Sequence, residues 1–141
     1  MTNGGKLMRE IEFRGRRKDT GEWVYGSLAI HKEENIRIIK YNRPEDIYVS
    51  IPVDPETVGQ YTGLQDFRDQ KVYEGDIVEV TSDIPDEAYR GIIVFHDLEW
   101  AIDAGYDFEA LYNQVVHCIK TLEVIGNIHD NSEILEEEKS V

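Results

Sequence analysis

Two carboxylates held apart by one glycine, Glu74 and Asp76 in the run VYEGDIVEV, have a spacing from which acid–base chemistry could start, one group donating a proton while the other accepts. The same Glu-Gly-Asp run is a turn signal, and an aspartate beside a turn glycine more commonly accepts neighbouring backbone amides. Asp76 is therefore expected to be structural. His31, His96, His117 and His129 are scattered, whereas a zinc site needs three or four ligands converging in a tetrahedron. His117-Cys118 is the closest pairing of such residues, but neighbours along a strand point to opposite faces. The acidic run Asp97, Glu99, Asp103, Asp107 and Glu109 offers oxygen ligands for a hard cation. Its spacing does not fit a calcium loop, and large apolar residues interrupt it, so a solvated strand face is the expectation. Neither Cys118 nor any serine sits in a nucleophile elbow, and Gly59 and Gly63 lack the Gly-Lys-Ser/Thr ending of a phosphate loop. No catalytic, metal-binding or cofactor-binding residue is assigned, and the chain is not expected to be an enzyme.

A second constellation suits binding. Arg14, Arg16, Arg17 and Lys18 precede Trp23 and Tyr25, a basic and aromatic combination that can contact nucleic acid or protein. These six residues form the candidate interaction surface. Lys6, Arg9 and the four cations just named face only Glu10 and Glu12, while the whole chain has a formal net charge of -14. Phosphate binding needs accumulated cations, so an acidic body argues against a long duplex. A basic edge on an acidic body suits contact between identical subunits and equally an ordinary solvated surface. The alternatives are a nucleic-acid-binding barrel acting through the basic segment, and an acidic decoy for nucleic-acid-binding proteins.

The elements that must position these residues read as strands. From Arg9 to Arg17, Ile11 and Phe13 alternate with charged residues; Lys18-Asp19-Thr20-Gly21 supplies a turn, and Glu22 to Ile30 returns. Ile36–Lys40 and Ile47–Ile51 are two further strands, broken by Asn42-Arg43-Pro44. Asp54-Pro55-Glu56 starts a helix that Gly59 and Gly63 keep to about one turn. Residues 72–80 pair with Gly91–Phe95 across an acidic connection. Leu98–Gln114 reads as strand, turn and a short helix. Val115–Ile119 and Leu122–Ile125 close the sheet, and Asn131 or Ser132 caps a last helix, Ser132–Glu138, docked by Ile134 and Leu135.

The chain has 141 residues, 40% hydrophobic and 31% charged, enough for one ordered domain. Residues 1–7 are expected to be a flexible extension and 8–141 a single domain. Cys118 is the sole cysteine, so no intrachain disulfide can form. No apolar run approaches the roughly 20 residues needed to span a bilayer. A cytoplasmic protein without membrane contact is expected.

Four blocks, MREIEFRGRRKDTGEWVYGSL, TVGQYTGLQD, VYEGDIVEV and EVIGNIHDNSEIL, occur in the order found in the YopX family of phage and prophage proteins, and the chain resembles that family over most of its length. The resemblance implies a phage-encoded β-rich protein that assembles as a homo-oligomer and meets a phage or host protein partner; it carries no catalytic positions over. Arg68-Asp69-Gln70 stands where the family tends to place a turn glycine, and Asp69 is the residue there best able to adopt a left-handed backbone. The expected fold is mainly β: a small Src-homology-3-like barrel with an added N-terminal hairpin and one or two short helices.

Overall fold

The computed structural model describes residues 2–3, 6–7, 9–32, 35–81, 88–105, 108–111 and 121–139. The chain divides into two compact units, Met1–Gly63 and Leu64–Val141. Each is mainly β, as the alternating sequence requires.

In the first unit, β1 (Thr2–Asn3) and β2 (Lys6–Leu7) pair antiparallel within the stretch read as an extension. The strands β3 (Phe13–Arg16), β4 (Trp23–Lys32), β5 (Asn35–Asn42) and β6 (Ile47–Pro52) follow as an antiparallel meander. Then β7 (Gly59–Gln65) returns beside β3, giving the order β6-β5-β4-β3-β7. The N-terminal hairpin forms where alternation placed it, with Phe13 opposite Gly26 and Arg16 opposite Trp23. Gly21 makes its turn possible at φ +77°, a left-handed conformation that side chains disfavour. Val24, Ile38, Ile51 and Val53 form the core, with Phe13, Leu28, Ile36 and Val58 packed against them.

Asp54 caps the expected helical turn by accepting the Glu56 amide at 3.1 Å, and Pro55–Thr57 is a 3-10 turn. Thr57 then joins it to β3: its hydroxyl accepts the Arg16 amide at 2.9 Å and donates to the Asp54 carbonyl at 2.7 Å. The strand β7 is a departure from the sequence reading, which used its two glycines only as helix breakers. Pairing supplies what propensity lacks, since Gln60 lies opposite Phe13, Gly59 opposite Arg14, and the Tyr61 amide donates to the Glu12 carbonyl.

The second unit contains β8 (Lys71–Tyr73), β9 (Asp76–Thr81), β10 (Tyr89–His96), β11 (Glu99–Asp103), β12 (Phe108–Ala110), β13 (Thr121–Asn127) and α1 (Glu133–Lys139). Five of the strands form an antiparallel sheet of order β12-β11-β10-β9-β13. The pairing expected between residues 72–80 and Gly91–Phe95 is that of β9 with β10, where Ile92 faces Ile77. Val72, Val78, Val80, Ile93, Ile102, Leu111 and Leu122 make the core.

The expectation of a closed barrel needs correction, because among the described residues this sheet runs in one open order from β12 to β13. A loop meets the outer edge of β13 instead of a strand: the Phe67 amide donates to the Leu122 carbonyl, and Asp66 accepts the Val124 amide at 2.9 Å. Covering an edge in this way satisfies its polar groups without barrel closure. Asn131 does not cap α1 with its side chain, which turns back to accept the Asn127 amide at 3.2 Å; the backbone carbonyls of Asn131 and Ser132 accept from Ile134 and Leu135. The strand expected at Val115–Ile119 lies outside the described residues, as do residues 112–114 at the end of the Leu98–Gln114 stretch, where a short helix is expected and where Phe108–Ala110 is a strand.

Candidate interaction surfaces

Register decides which of the six candidate residues meet. Arg14 lies opposite Tyr25 and Arg16 opposite Trp23, so alternation puts all four on one face of the β3–β4 hairpin, with Arg17 on the other. Both guanidinium groups gather on the indole, Arg14 Cζ 4.7 Å and Arg16 Cζ 5.3 Å from the Trp23 ring centroid. These are cation–π distances, and Arg14 is 6% exposed. Arg17 instead forks onto Asp19 at 2.9 and 3.0 Å. Hydrogen bonding to Arg17 holds the Asp19 carboxyl below the usual carboxylate range, and the same contact raises Arg17. Lys18 is exposed in the turn, and Tyr25, opposite Arg14, is exposed on β4. Much of the basic cluster is thus engaged within the hairpin itself.

The candidate carboxylate pair is part of a turn. Gly75 stands at φ +92°, the residue type that this conformation admits most readily, and Asp76, 2% exposed, accepts the Tyr73 amide at 2.7 Å. A second buried carboxylate escaped the sequence reading. Asp66 is 5% exposed and accepts three backbone amides, from Arg68 at 2.8 Å, Gln70 at 3.0 Å and Val124 at 2.9 Å. It holds its own loop in shape and clasps that loop to β13. Asp69 within the loop sits at φ +64°, the left-handed conformation expected of it. A third knot follows β13, where the Asn127 side-chain oxygen accepts from the His129 and Asp130 amides, each at 2.9 Å, and the Ile128 amide donates to the Gly75 carbonyl.

The acidic run surrounds a different kind of surface. At the β10–β11 turn, Asp97 (φ +51°) and Leu98 (φ +66°) are both left-handed, and Leu98 is 93% exposed. Phe95 and Phe108 nearby are also exposed. Phe95 meets Trp100 edge to face with centroids 5.1 Å apart, and His96 stacks on Phe108 at 3.8 Å. Asp97 lies 3.3 Å from the His96 Nε2, and Glu99 pairs across the strands with His96. Further along β11, Asp103 is committed to the Gly105 amide at 2.9 Å. Among the described residues no three histidine, cysteine or carboxylate side chains are grouped to hold a metal ion. The tip presents Leu98 to solvent between Asp97 and Glu99, with exposed aromatic side chains on the strands behind it.

The family model for YopX protein matches residues 12–136. The chain belongs to the YopX family. Two solved structures share its fold. The protein yopX from Bacillus subtilis is 21% identical, with a TM-score of 0.59 over 91% of this chain and 97% of that one. The Enterococcus faecalis protein EF1440 is 20% identical, with a TM-score of 0.51 over 91% of this chain and 99% of that one. Identity at this level speaks to fold alone. No curated protein matches the chain.

The blocks that resemble the YopX family now have structural meanings. TVGQYTGLQD is β7 followed by the Asp66 clasp, VYEGDIVEV is the Gly75 turn between β8 and β9, and EVIGNIHDNSEIL is β13, the Asn127 knot and α1. The apolar β10–β11 tip lies outside all four. Among the described residues no helix is long and apolar enough to cross a membrane.

Proposed function

We propose that the protein acts by binding other proteins, copies of itself among them, rather than by catalysing a reaction. On this reading it is an accessory protein of a phage or prophage, working in the cytoplasm of the bacterial host, a setting that rests on the resemblance to a family of phage and prophage proteins. The observation that supports binding is Leu98. A leucine at positive φ costs roughly 1–2 kcal/mol relative to an ordinary backbone conformation. An exposure of 93% leaves its side chain little packing to offset that cost. Backbone outliers of this kind concentrate where function uses them. Leu98 at the turn, with Phe95 exposed three residues before it, offers an apolar projection suited to a pocket on a partner, and the neighbouring Asp97 and Glu99 favour a basic margin around that pocket.

The test compares the wild-type chain with Leu98→Asp and Phe95→Ser as baits in a bacterial lysate, with folding of each checked by circular dichroism. Proteins retained by wild type and lost from both variants support the reading. An identical set retained by all three contradicts it.

A further inference from the structure

In the first unit's sheet, β6 is an edge strand. It pairs with β5 on one side, from Arg37 opposite Pro52 to Asn42 opposite Ile47. Its backbone direction is fixed at one end by two hydrogen bonds: the Val53 amide donates inward to the Ile36 carbonyl, while the Pro52 carbonyl accepts from the Lys18 amide at 3.2 Å on the opposite side. Strand alternation then points the amides and carbonyls of Ser50 and Tyr48 away from β5. The Ser50 carbonyl is met by Arg37 Nη2 at 3.3 Å.

Natural edge strands are commonly blunted by charge, proline, a bulge or shortness. In β6 such a device stands only at the end, as Pro52, and Ile47–Ile51 carry neither charge nor proline. Tyr48 is 74% exposed, and Ile47 and Val49 are exposed with it. Tyr41 extends this surface, its ring centroid 5.3 Å from that of Tyr48. Its hydroxyl donates to Asp46 at 2.6 Å, and this hydrogen bond raises the Tyr41 phenol above its ordinary range.

The two ends of the strand differ in charge. Glu45 and Asp46 lead into Ile47, while Arg37 and Lys18 lie at the Pro52 end. Arg37 makes its hydrogen bonds to neutral acceptors, Ser50 at 2.6 Å and Asn35 at 3.5 Å. We propose that β6 pairs antiparallel with β6 of a second copy, about a two-fold axis through Val49. This deepens the self-association part of the reading above and rests on it.

In that register Tyr48 and Ser50 exchange backbone hydrogen bonds across the axis, and the two copies of Val49 face each other. The two Tyr48 rings become diagonal neighbours, a position from which aromatic side chains interact. The new ladder ends at Ile47 opposite Ile51, because Lys18 already occupies the outer side of Pro52, and this leaves Asp46 of each copy next to Lys18 and Arg37 of the other. A parallel arrangement would set Asp46 against Asp46. Arg43 shares the turn with Glu45 and Asp46, so charge selects the direction of pairing while the ladder and the apolar side chains hold it.

The test uses the full chain. Light scattering should give wild type twice the chain mass or a higher even multiple. Val49→Lys places two ammonium groups on the axis and should halve that mass with the circular dichroism spectrum unchanged. Opposed residues at a non-hydrogen-bonded site lie about 4.5 Å apart at Cα, near disulfide reach. In a Cys118→Ser background, Val49→Cys should therefore cross-link to a covalent dimer on mild oxidation, and Tyr41→Cys should not. An oligomeric mass that survives Val49→Lys, with no cross-link at Val49→Cys, overturns the β6 interface and leaves self-association by another route. A wild-type chain that stays monomeric at every concentration overturns self-association itself.

Discussion

Asp66 shows what a buried carboxylate does in this protein. Its two oxygens take amides from Arg68, Gln70 and Val124, so each lone pair in use organises backbone rather than substrate. Asp66→Ala would leave those amides without their acceptor, and a buried donor left in that state costs about 1–3 kcal/mol. Relaxation and entering water recover part of the total. A net loss of about 3 kcal/mol is expected, with a smaller one for Asp66→Asn, which keeps one acceptor oxygen; urea unfolding midpoints measure both. An Asp66→Ala chain as stable as wild type would show that the clasp does not hold the loop. Asp76 was legible in the sequence because its amide partner, Tyr73, lies three residues away in the same turn. Asp66 was not, since the contact that gives it its role reaches Val124, 58 residues further along. No local pattern encodes that distance.

Among the elements, those with period-two alternation were read correctly: the β3–β4 hairpin, β5 and β6 appear where Ile and Val alternate with polar residues. The strand β7 was missed because Gly59 and Gly63 erase the alternation, and its pairing with β3 decides the matter from outside the segment. Barrel closure was misjudged for a similar reason, as the 66–70 loop that occupies the edge of β13 looks like an ordinary connection in sequence. The β10–β11 hairpin gives the sharpest test at this scale. Left-handed turn residues are ordinarily Asn, Asp or Gly, so Asp97 fits its place and Leu98 does not. Leu98→Gly should stabilise the protein by about 1 kcal/mol, read from the shift in thermal midpoint, because the strain goes and little packing is lost. The same substitution should abolish retention of any partner that Leu98 contacts. A destabilised Leu98→Gly chain would mean that the leucine contributes to folding, removing the reason to assign it to binding.

At the scale of the molecule, Asp76 of the carboxylate pair and Arg14 and Arg16 of the basic segment are engaged within the fold, and large apolar side chains are among the features left exposed. The carboxylates of Asp66 and Asp76 hold turns, and the guanidinium groups of Arg14 and Arg16 lie on Trp23. Alternation anticipated a mainly β protein and composition its acidic character, and the order of four sequence blocks pointed to the YopX family that the family model then matched. The apolar tip was not legible, because Leu98 gives no sign in sequence of being turned outward; only the hairpin register places it at the end of a turn. The proposed function depends on that tip meeting protein. Installing a photo-crosslinking amino acid in place of Leu98 and irradiating intact bacterial cells tests it most directly. The account predicts a discrete protein adduct at position 98 and none from the same group placed at Glu136, exposed on α1. Adducts to nucleic acid, or equal labelling from both positions, would contradict it.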